Sequence, residues 1–440
     1  MNILFEEHAA AQRAGGIEAA TAGLAANLAK LGVVVTRRFT DVRQDIATTP
    51  DCVHIHGIWS PALAMRLVHW RRRGIPCVVT VHGMLEPWAL AHKRFKKQLA
   101  WSLYQRALLN RASALHATSA REATNLRALG MTSRIDNIHW GVEMPEVGKA
   151  LNLKHEILNV GEEEIDGQIC HSKSKIAPLR GAMPEVGKAL NLKHKILNVG
   201  EEKSDAPVCH SKSKIASLRG ATPEVGKALN LKHEILNVGE EEIDGQICHS
   251  KSKIKNPKSS SLSPRTALFV GRIFPVKGLP MLVEAWAMVR PPGWKMQIVG
   301  PDEAGHQAEV AALINQAGLD AEFTFSGSLQ GADLCHAYAA ADLFILPSHT
   351  ENFGMVVAEA LSHGVPVIAT NGTPWSELLE HNCGWWPEIS STGIAAALRA
   401  ATTIDPAELR RMGAHGQQWM HEEFTWDQCA RKMVALYQSL

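Results

Sequence analysis

Several things this sequence has little of narrow its reading. Charge imbalance is nearly absent: 46 Lys and Arg against 44 Asp and Glu leave a formal net charge of +2, so nothing in the overall balance calls for a nucleic-acid partner. No window is apolar enough to span a bilayer. The opening MNILFEEHAA is a short apolar strand followed by acids, without the basic flank and long apolar run of a secretory signal. The eight cysteines are scattered and make no Cys-x-x-Cys pair, which suits reduced thiols in a cytoplasmic compartment. From Pro145 to Ile254 there is no Phe, Trp or Tyr.

That aromatic-free stretch is a tandem repeat. PEVGKALNLKH begins at Pro145, Pro184 and Pro223, a period of 39 residues, and the copies at 145–176 and 223–254 are identical. With 16 basic and 16 acidic residues and no aromatic mass, the segment can bury little surface to offset ordering entropy. A short helix at each PEVGKALNLKHEIL is the most structure expected, Pro being favourable at a helix start. The recurring CHSK at Cys170, Cys209 and Cys248 lacks the close ligand spacing of zinc motifs. The stretch therefore reads as a duplicated surface insertion, poorly ordered, followed by the flexible linker NPKSSSLSPR at 256–265.

On either side, apolar strands alternate with helices. The first part offers NILF, GVVVTRRF, CVHIHG, CVVTVHG, ALHATS and IDNIHWG, with helices from about Ile17, Pro61, Lys93 and Ala120. The second offers TALFVG, KMQIVG, FTFSG, LFILPS and PVIAT. Near-continuous apolar strands between amphipathic helices predict an α/β chain of two doubly wound, Rossmann-like parallel-sheet domains, at 1–143 and 265–440, with 144–264 between them. Ligands of such sheets bind beyond the carboxyl ends of the strands, in the cleft the two domains would share.

The strand-end loops carry the chemistry. LFVGRIFPVKG (268–278) turns from a buried strand through Gly271 into a loop with Arg272 and Lys277, a guanidinium and an ammonium suited to a diphosphate. A solvated basic loop explains the same residues equally well, and the segment is neither a P-loop nor a GxGxxG fingerprint. ENFGMVVAE (351–359) places Glu351 and Glu359 eight apart around Gly354. A helix starting near Phe353 and Gly354 offers amides to a phosphate; Glu351 at the cleft mouth can accept from sugar hydroxyls, and Glu359 lies about 7.5 Å further along the axis. Helix-start and solvated acids remain the plainer explanation on spacing alone.

Taken in order, the GR-x4-KG loop, FSGSL, the E-x7-E segment and GVPVIATNGTPWSELL resemble the family 4 retaining glycosyltransferases with the GT-B fold. HGMLEPWAL (82–90) and CGWWPE (383–388) read like members that build bacterial surface polysaccharides. The resemblance implies that Arg272 and Lys277 hold the donor diphosphate and neutralise the departing nucleotide, and that Glu351 binds the transferred sugar. The amides of Phe353, Gly354 and Met355 would meet phosphate and sugar, Glu359 the ribose, and the loop around Ser328 the base. In RAGGIEAA, Gly15 and Gly16 would bring backbone against the diphosphate and acceptor, and His82 would contact the donor sugar near its reacting carbon. His54 and His56 count for less, on the expectation that strand alternation lets at most one of them see the cleft. The family's route to retention is front-face attack, the leaving phosphate taking the acceptor proton. No Asp-x-Asp offers a divalent-ion site, so neither metal nor cofactor is expected.

The implied substrates are a nucleotide sugar and a glycan or lipid-linked acceptor. HKRFKKQLAWSLYQRALLNRA (92–112) mixes basic residues with Phe95, Leu99, Trp101 and Leu103, as a helix resting on an anionic membrane would; core packing with a solvated basic face is the alternative. The family's Pro-Asn-Gly-Val-Asp-like segment reads IHWGVEMP here, and the repeat follows at once in the interdomain linker. Lengthening a flexible linker of about 15 residues by about 110 costs only about 2 kcal/mol in loop closure, so folding should survive although domain closure is a separate matter. A catalytically impaired binding protein of the same fold and a nucleotide-sugar epimerase are the rival readings.

Overall fold

A computed structural model describes residues 1–8, 16–40, 48–91, 94–145 and 264–440. The repeat beyond Pro145, the CHSK sequences, Gly15 and Lys93 lie outside the described residues.

The first half builds a six-stranded parallel sheet in the order β2-β1-β3-β4-β5-β6. Its strands are β1 (Asn2–Glu7), β2 (Val34–Phe39), β3 (Cys52–His56), β4 (Cys77–Thr80), β5 (Ala114–Ala117) and β6 (Arg134–Asn137). Helices α1 (Gly16–Lys30), α2 (Pro61–Arg72), α3 (Pro87–Ala91), α4 (Arg94–Ala100), α5 (Arg106–Leu109) and α6 (Ala120–Ala128) connect them, with a π-helical turn at Trp101–Gln105. Local chemistry starts these helices where they start. Ser60 accepts from the Leu63 amide ahead of Pro61, and Ser119 accepts from the Glu122 amide at the head of α6.

The second half repeats the plan in the order β12-β11-β10-β7-β8-β9. The strands are β7 (Arg265–Val270), β8 (Trp294–Val299), β9 (Phe323–Phe325), β10 (Leu343–Leu346), β11 (Val367–Ala369) and β12 (Gly384–Trp385). The helices are α7 (Leu279–Val289), α8 (His306–Gln316), α9 (Gly331–Ala340), α10 (Met355–Ser362), α11 (Ser391–Thr403), α12 (Pro406–Glu423) and α13 (Trp426–Gln438). The two-residue strand β12 was not expected.

Alternation along the strands divides the first sheet between two cores. Leu4, Val53 and Ile55 face Leu63, Leu67 and Trp70 of α2, while Ile3 and Phe5 join Leu24 and Leu28 of α1. The second of these cores runs on into α13, which returns to the first half and packs against α1. Trp426 fixes that crossing: a Cβ at Gly23 or at Gly141 would come within 2.4 Å of it, so both positions need glycine. A hydrogen-bonded chain pins the other end of α13. His116 Nε2 donates to the Ile138 carbonyl, so its Nδ1 must accept from Thr80, whose oxygen then accepts from His54 Nε2. His54 Nδ1 is left to accept from the Tyr437 hydroxyl at 2.7 Å.

Candidate active site

The loops after β7, β8 and β9 converge at the carboxyl edge of the second sheet. Gly271, at φ 156°, lies against Gly300, whose Cβ would fall 1.9 Å from the Gly271 carbonyl oxygen, and the Gly300 amide donates to the Gly327 carbonyl. Ser328 follows as an exposed loop residue. The loop from Arg272 is zipped to the one after β8: Ile273 N donates to the Pro301 carbonyl, and Glu303 N donates to the Ile273 carbonyl. That pairing brings the Glu303 carboxylate onto the Arg272 guanidinium, both about two-fifths exposed.

Lys277 ends a short turn that Gly278 closes at φ 67°, with the Pro347 carbonyl oxygen 2.1 Å from where a Cβ would stand. Only glycine fits there, and the fit presses the Lys277 loop against the end of β10. Lys277 Nζ meets Glu351 Oε1 at 2.5 Å, both side chains less than one-sixth exposed. The same oxygen accepts from the Ser348 hydroxyl at 2.7 Å. Two residues 74 apart in sequence, a cation and a carboxylate expected at neighbouring parts of one ligand, are thus in contact.

α10 begins at Met355, one to two residues later than expected, because Gly354 sits in the left-handed region at φ 78°. Trp375 Nε1 donates to the Phe353 carbonyl and lies 3.3 Å from a Cβ built at Gly354, so a side chain there would be strained and crowded. Phe353 itself packs inward. Glu359, on the second turn of α10, accepts from the Tyr338 hydroxyl at 2.7 Å. Burial holds its carboxyl above the ordinary range, and the Tyr338 bond opposes the rise.

In the first half β4 ends at Thr80, and His82 stands beyond it in a left-handed turn with Gly83, at φ 51° and 70°. Its ring stacks on Trp140, and His56 Nδ1 lies 3.3 Å from its Nε2. Burial, then the His116 ring, pushes His82 down to about 3, so it works as a neutral imidazole. His54 and His56 occupy the same face of β3, their rings 4.1 Å apart, which corrects the expectation that alternation separates them: residues two apart share a face. Gly16 opens α1 with nothing within 4 Å of a Cβ built on it.

The two halves touch around α6. Asn352 Nδ2 donates to Thr118 Oγ at 2.7 Å, and Arg121 Nη1 donates to the Gly372 and Asn371 carbonyls at 2.8 and 3.3 Å. The Gly372 carbonyl also accepts from the Glu351 amide. Beside this contact lies a cavity of about 560 Å³ bordered by Arg121, Phe353, Trp375 and Trp386. Thr118, Arg121, Asn352 and Glu303 are not singled out from the sequence, and Ser348 only as the end of a strand; TSAR after a strand and the x of Glu351-x-Phe-Gly are the signals that could have found the first three. Among the described residues, no group of three or more His, Cys, Asp or Glu could hold a metal ion.

Residues 250–419 match the family described as Glycosyl transferases group 1, and residues 37–141 match a Glycosyl transferase 4-like domain. The chain carries two glycosyltransferase domains. Curated relatives include a D-inositol 3-phosphate glycosyltransferase of Segniliparus rotundus, 34% identical over 40% of each chain. The lipopolysaccharide core biosynthesis mannosyltransferase LpsB of Rhizobium meliloti is 30% identical over 39% of this chain and 50% of its own. The matched parts thus span half or less of these relatives. Crystal structures of Anabaena HepE in complex with UDP and glucose (TM-score 0.62, 16% identity, all of both chains) and of WaaG (TM-score 0.55, 13% identity, 98% of both) share the fold. The two glycosyltransferase domains therefore form a GT-B arrangement, with Lys277 and Glu351 in the group 1 domain and His82 in the other.

Proposed function

We propose that the chain is a retaining glycosyltransferase that moves a sugar from a nucleoside-diphosphate donor to a glycan or lipid-linked acceptor in cell-surface polysaccharide biosynthesis. The contact of Lys277 with Glu351 carries this reading. A nucleotide sugar has its diphosphate next to its transferred sugar, and the loop offers a cation and a carboxylate side by side in that order. Arg272 and Lys277 neutralise the charge that grows on the leaving phosphate, the role a divalent ion would otherwise take. Glu351 accepts from sugar hydroxyls, and the carboxyl of Glu359 from the ribose. His82, neutral, donates to the sugar near its reacting carbon. The acceptor attacks from the face the nucleotide leaves, and a phosphate oxygen takes its proton, so neither a carboxylate nucleophile nor a cofactor is required.

The acceptor side favours a surface-bound substrate. Phe95, Leu99 and Leu103 are 85%, 62% and 72% exposed at four-residue spacing, with Trp88 exposed nearby and Arg94 and Lys96 among them. This stripe suits a peripheral seat on the inner, anionic face of a membrane holding a lipid-linked acceptor. Among the described residues no helix is long and apolar enough to cross a membrane.

The test is nucleoside diphosphate release from UDP-, GDP- and ADP-sugars, with Glu351→Ala as control. Release from one donor, lost in the variant, supports the reading; release that survives the substitution refutes the site. Interconversion of the sugar without transfer would favour an epimerase. Silence of the full chain alongside activity of a chain lacking residues 145–254 would assign the block to the repeat.

A further inference from the structure

Glu351 and His82 belong to different domains, yet an unbroken set of hydrogen bonds joins their backbones. Asn352, next to Glu351, donates from Nδ2 to Thr118 Oγ at 2.7 Å. Thr118 is fully buried and passes its own proton on: Oγ donates to Glu122 Oε2 at 3.0 Å, and its amide donates to the same oxygen at 2.7 Å. Glu122 Oε1 accepts from the Gly83 amide at 2.7 Å, one residue beyond His82. Glu122 is itself buried and is seated by the Ser119 hydroxyl at the head of α6. A Cβ at Gly83 would lie 2.7 Å from Asn352 Cβ, so the His82 turn and the Glu351 loop are also in direct packing contact.

The chain has a fixed polarity. Thr118 has one hydroxyl proton, and Glu122, already taking two amides, claims it; the oxygen of Thr118 can then only accept from across the domain boundary. An amide nitrogen satisfies that demand and a carboxylate of the same shape does not. The Asn352 orientation follows, and its Oδ1 is left buried without a partner.

We infer that Asn352 is a positioning residue which, through Thr118 and Glu122, ties the His82–Gly83 turn to the Glu351 loop, so that its bond across the domain boundary brings the two halves of the site to register. Arg121 on the Gly372 carbonyl, shared with the Glu351 amide, holds the same junction from the other side. This inference rests on the transferase reading for its effect on turnover but not for its effect on the backbone.

Two readouts separate these. Hydrogen exchange followed by mass spectrometry on the full chain reads the Gly83 and Thr118 amides directly. Asn352→Asp, a change in the second domain, should speed exchange in the first-domain peptides covering 81–86 and 116–122 by about five- to tenfold, the loss of one hydrogen bond. Thr118→Val should do the same and Thr118→Ser should not. With the nucleotide sugar that the wild type turns over, Asn352→Asp and Thr118→Val should each lower kcat by about 10-fold or more with KM within about threefold. The double variant should be no worse than either alone, as for residues acting through one contact. Unchanged exchange in both peptides, or losses that multiply in the double variant, would overturn the inference. A wild type that turns over no sugar sinks the transferase reading and leaves the exchange result to decide this one.

Discussion

Both cations that would face a donor diphosphate already have carboxylate partners, and one pair is far more open to water than the other. Arg272 and Glu303 are 42% and 43% exposed, whereas Lys277 and Glu351 are 14% and 13% exposed. Glu303→Gln removes the charge of the open pair and keeps its shape; the Glu303 amide bond to the Ile273 carbonyl, which shapes the loop, is untouched. An exposed pair of this kind is worth about 0–1 kcal/mol. Releasing Arg272 should therefore tighten nucleoside diphosphate binding by up to about fivefold, the equivalent of about 1 kcal/mol. The gain should shrink as salt rises from about 0.1 M to about 1 M, where screening falls from about 10 Å to about 3 Å. Glu351→Gln frees Lys277 in the same way but removes the sugar contact proposed for Glu351, so nucleoside diphosphate binding should hold or tighten while nucleotide-sugar turnover falls. Isothermal titration with UDP, GDP and ADP at the two salt levels measures the binding, and nucleoside diphosphate release from the nucleotide sugar measures the turnover. A Glu303→Gln variant that binds every nucleotide about tenfold more weakly would make Glu303 part of the binding site and refute the reasoning. No change at either salt level would mean that Arg272 does not reach the phosphates.

The buried histidine chain predicts that Thr80→Val, which strands His54 and His116 together, costs roughly 2–4 kcal/mol in urea unfolding, while Thr80→Ser stays within about 1 kcal/mol. His116 is held down to about 4 by burial, so the unfolded chain binds its proton first as pH falls from 6.5. Stability present above 6.5 is then lost toward pH 4, roughly 3 kcal/mol from this residue alone, and urea midpoints at stepped pH should show it; a flat midpoint across that window refutes it. Gly278→Ala, forced against the Pro347 carbonyl, should abolish turnover and lower the melting temperature, whereas Gly293→Ala, equally left-handed but in open space, should cost only about 1 kcal/mol.

Much of the scaffold is visible in the sequence because it is written locally. Runs such as LFVG and LFILPS are apolar without a break, which only a sheet covered on both faces tolerates, and glycines 271, 278 and 354 mark turns whose backbone angles demand them. That Lys277 and Glu351 serve neighbouring parts of one ligand is implied by the family resemblance, but their direct contact, 74 residues apart, is not. What escaped was decided by distant neighbours. β12 is two residues long, and Gly384 is required because a Cβ would fall 2.2 Å from the Val367 carbonyl oxygen, a constraint set by another strand. Asn352 and Arg121 meet partners 234 to 251 residues away, and no spacing rule reaches that far. No motif singles out Glu303; the zipper between the loops after β7 and β8 places it on Arg272.

The way Glu351 is held bears on how the site can be occupied. Lys277 and Ser348 both bind Oε1, leaving Oε2 without a hydrogen bond from any described residue. A sugar hydroxyl can therefore donate to Oε2 without first breaking the ion pair, and the pair keeps the carboxylate from turning away. Lys277 has three protons and one point charge; the bond donated to Glu351 Oε1 uses one of them, and the others can face a phosphate. One ammonium would then fix the sugar-binding carboxylate and share its charge with the leaving group, which asks for a short, mobile cation at this position. Arg272 sits on a loop whose backbone is zipped but has a side-chain partner that water can replace, so in the proposed reaction its side chain is free to follow the phosphate as it departs. In the proposed reaction the two cations thus differ in what they do because they differ in what holds them.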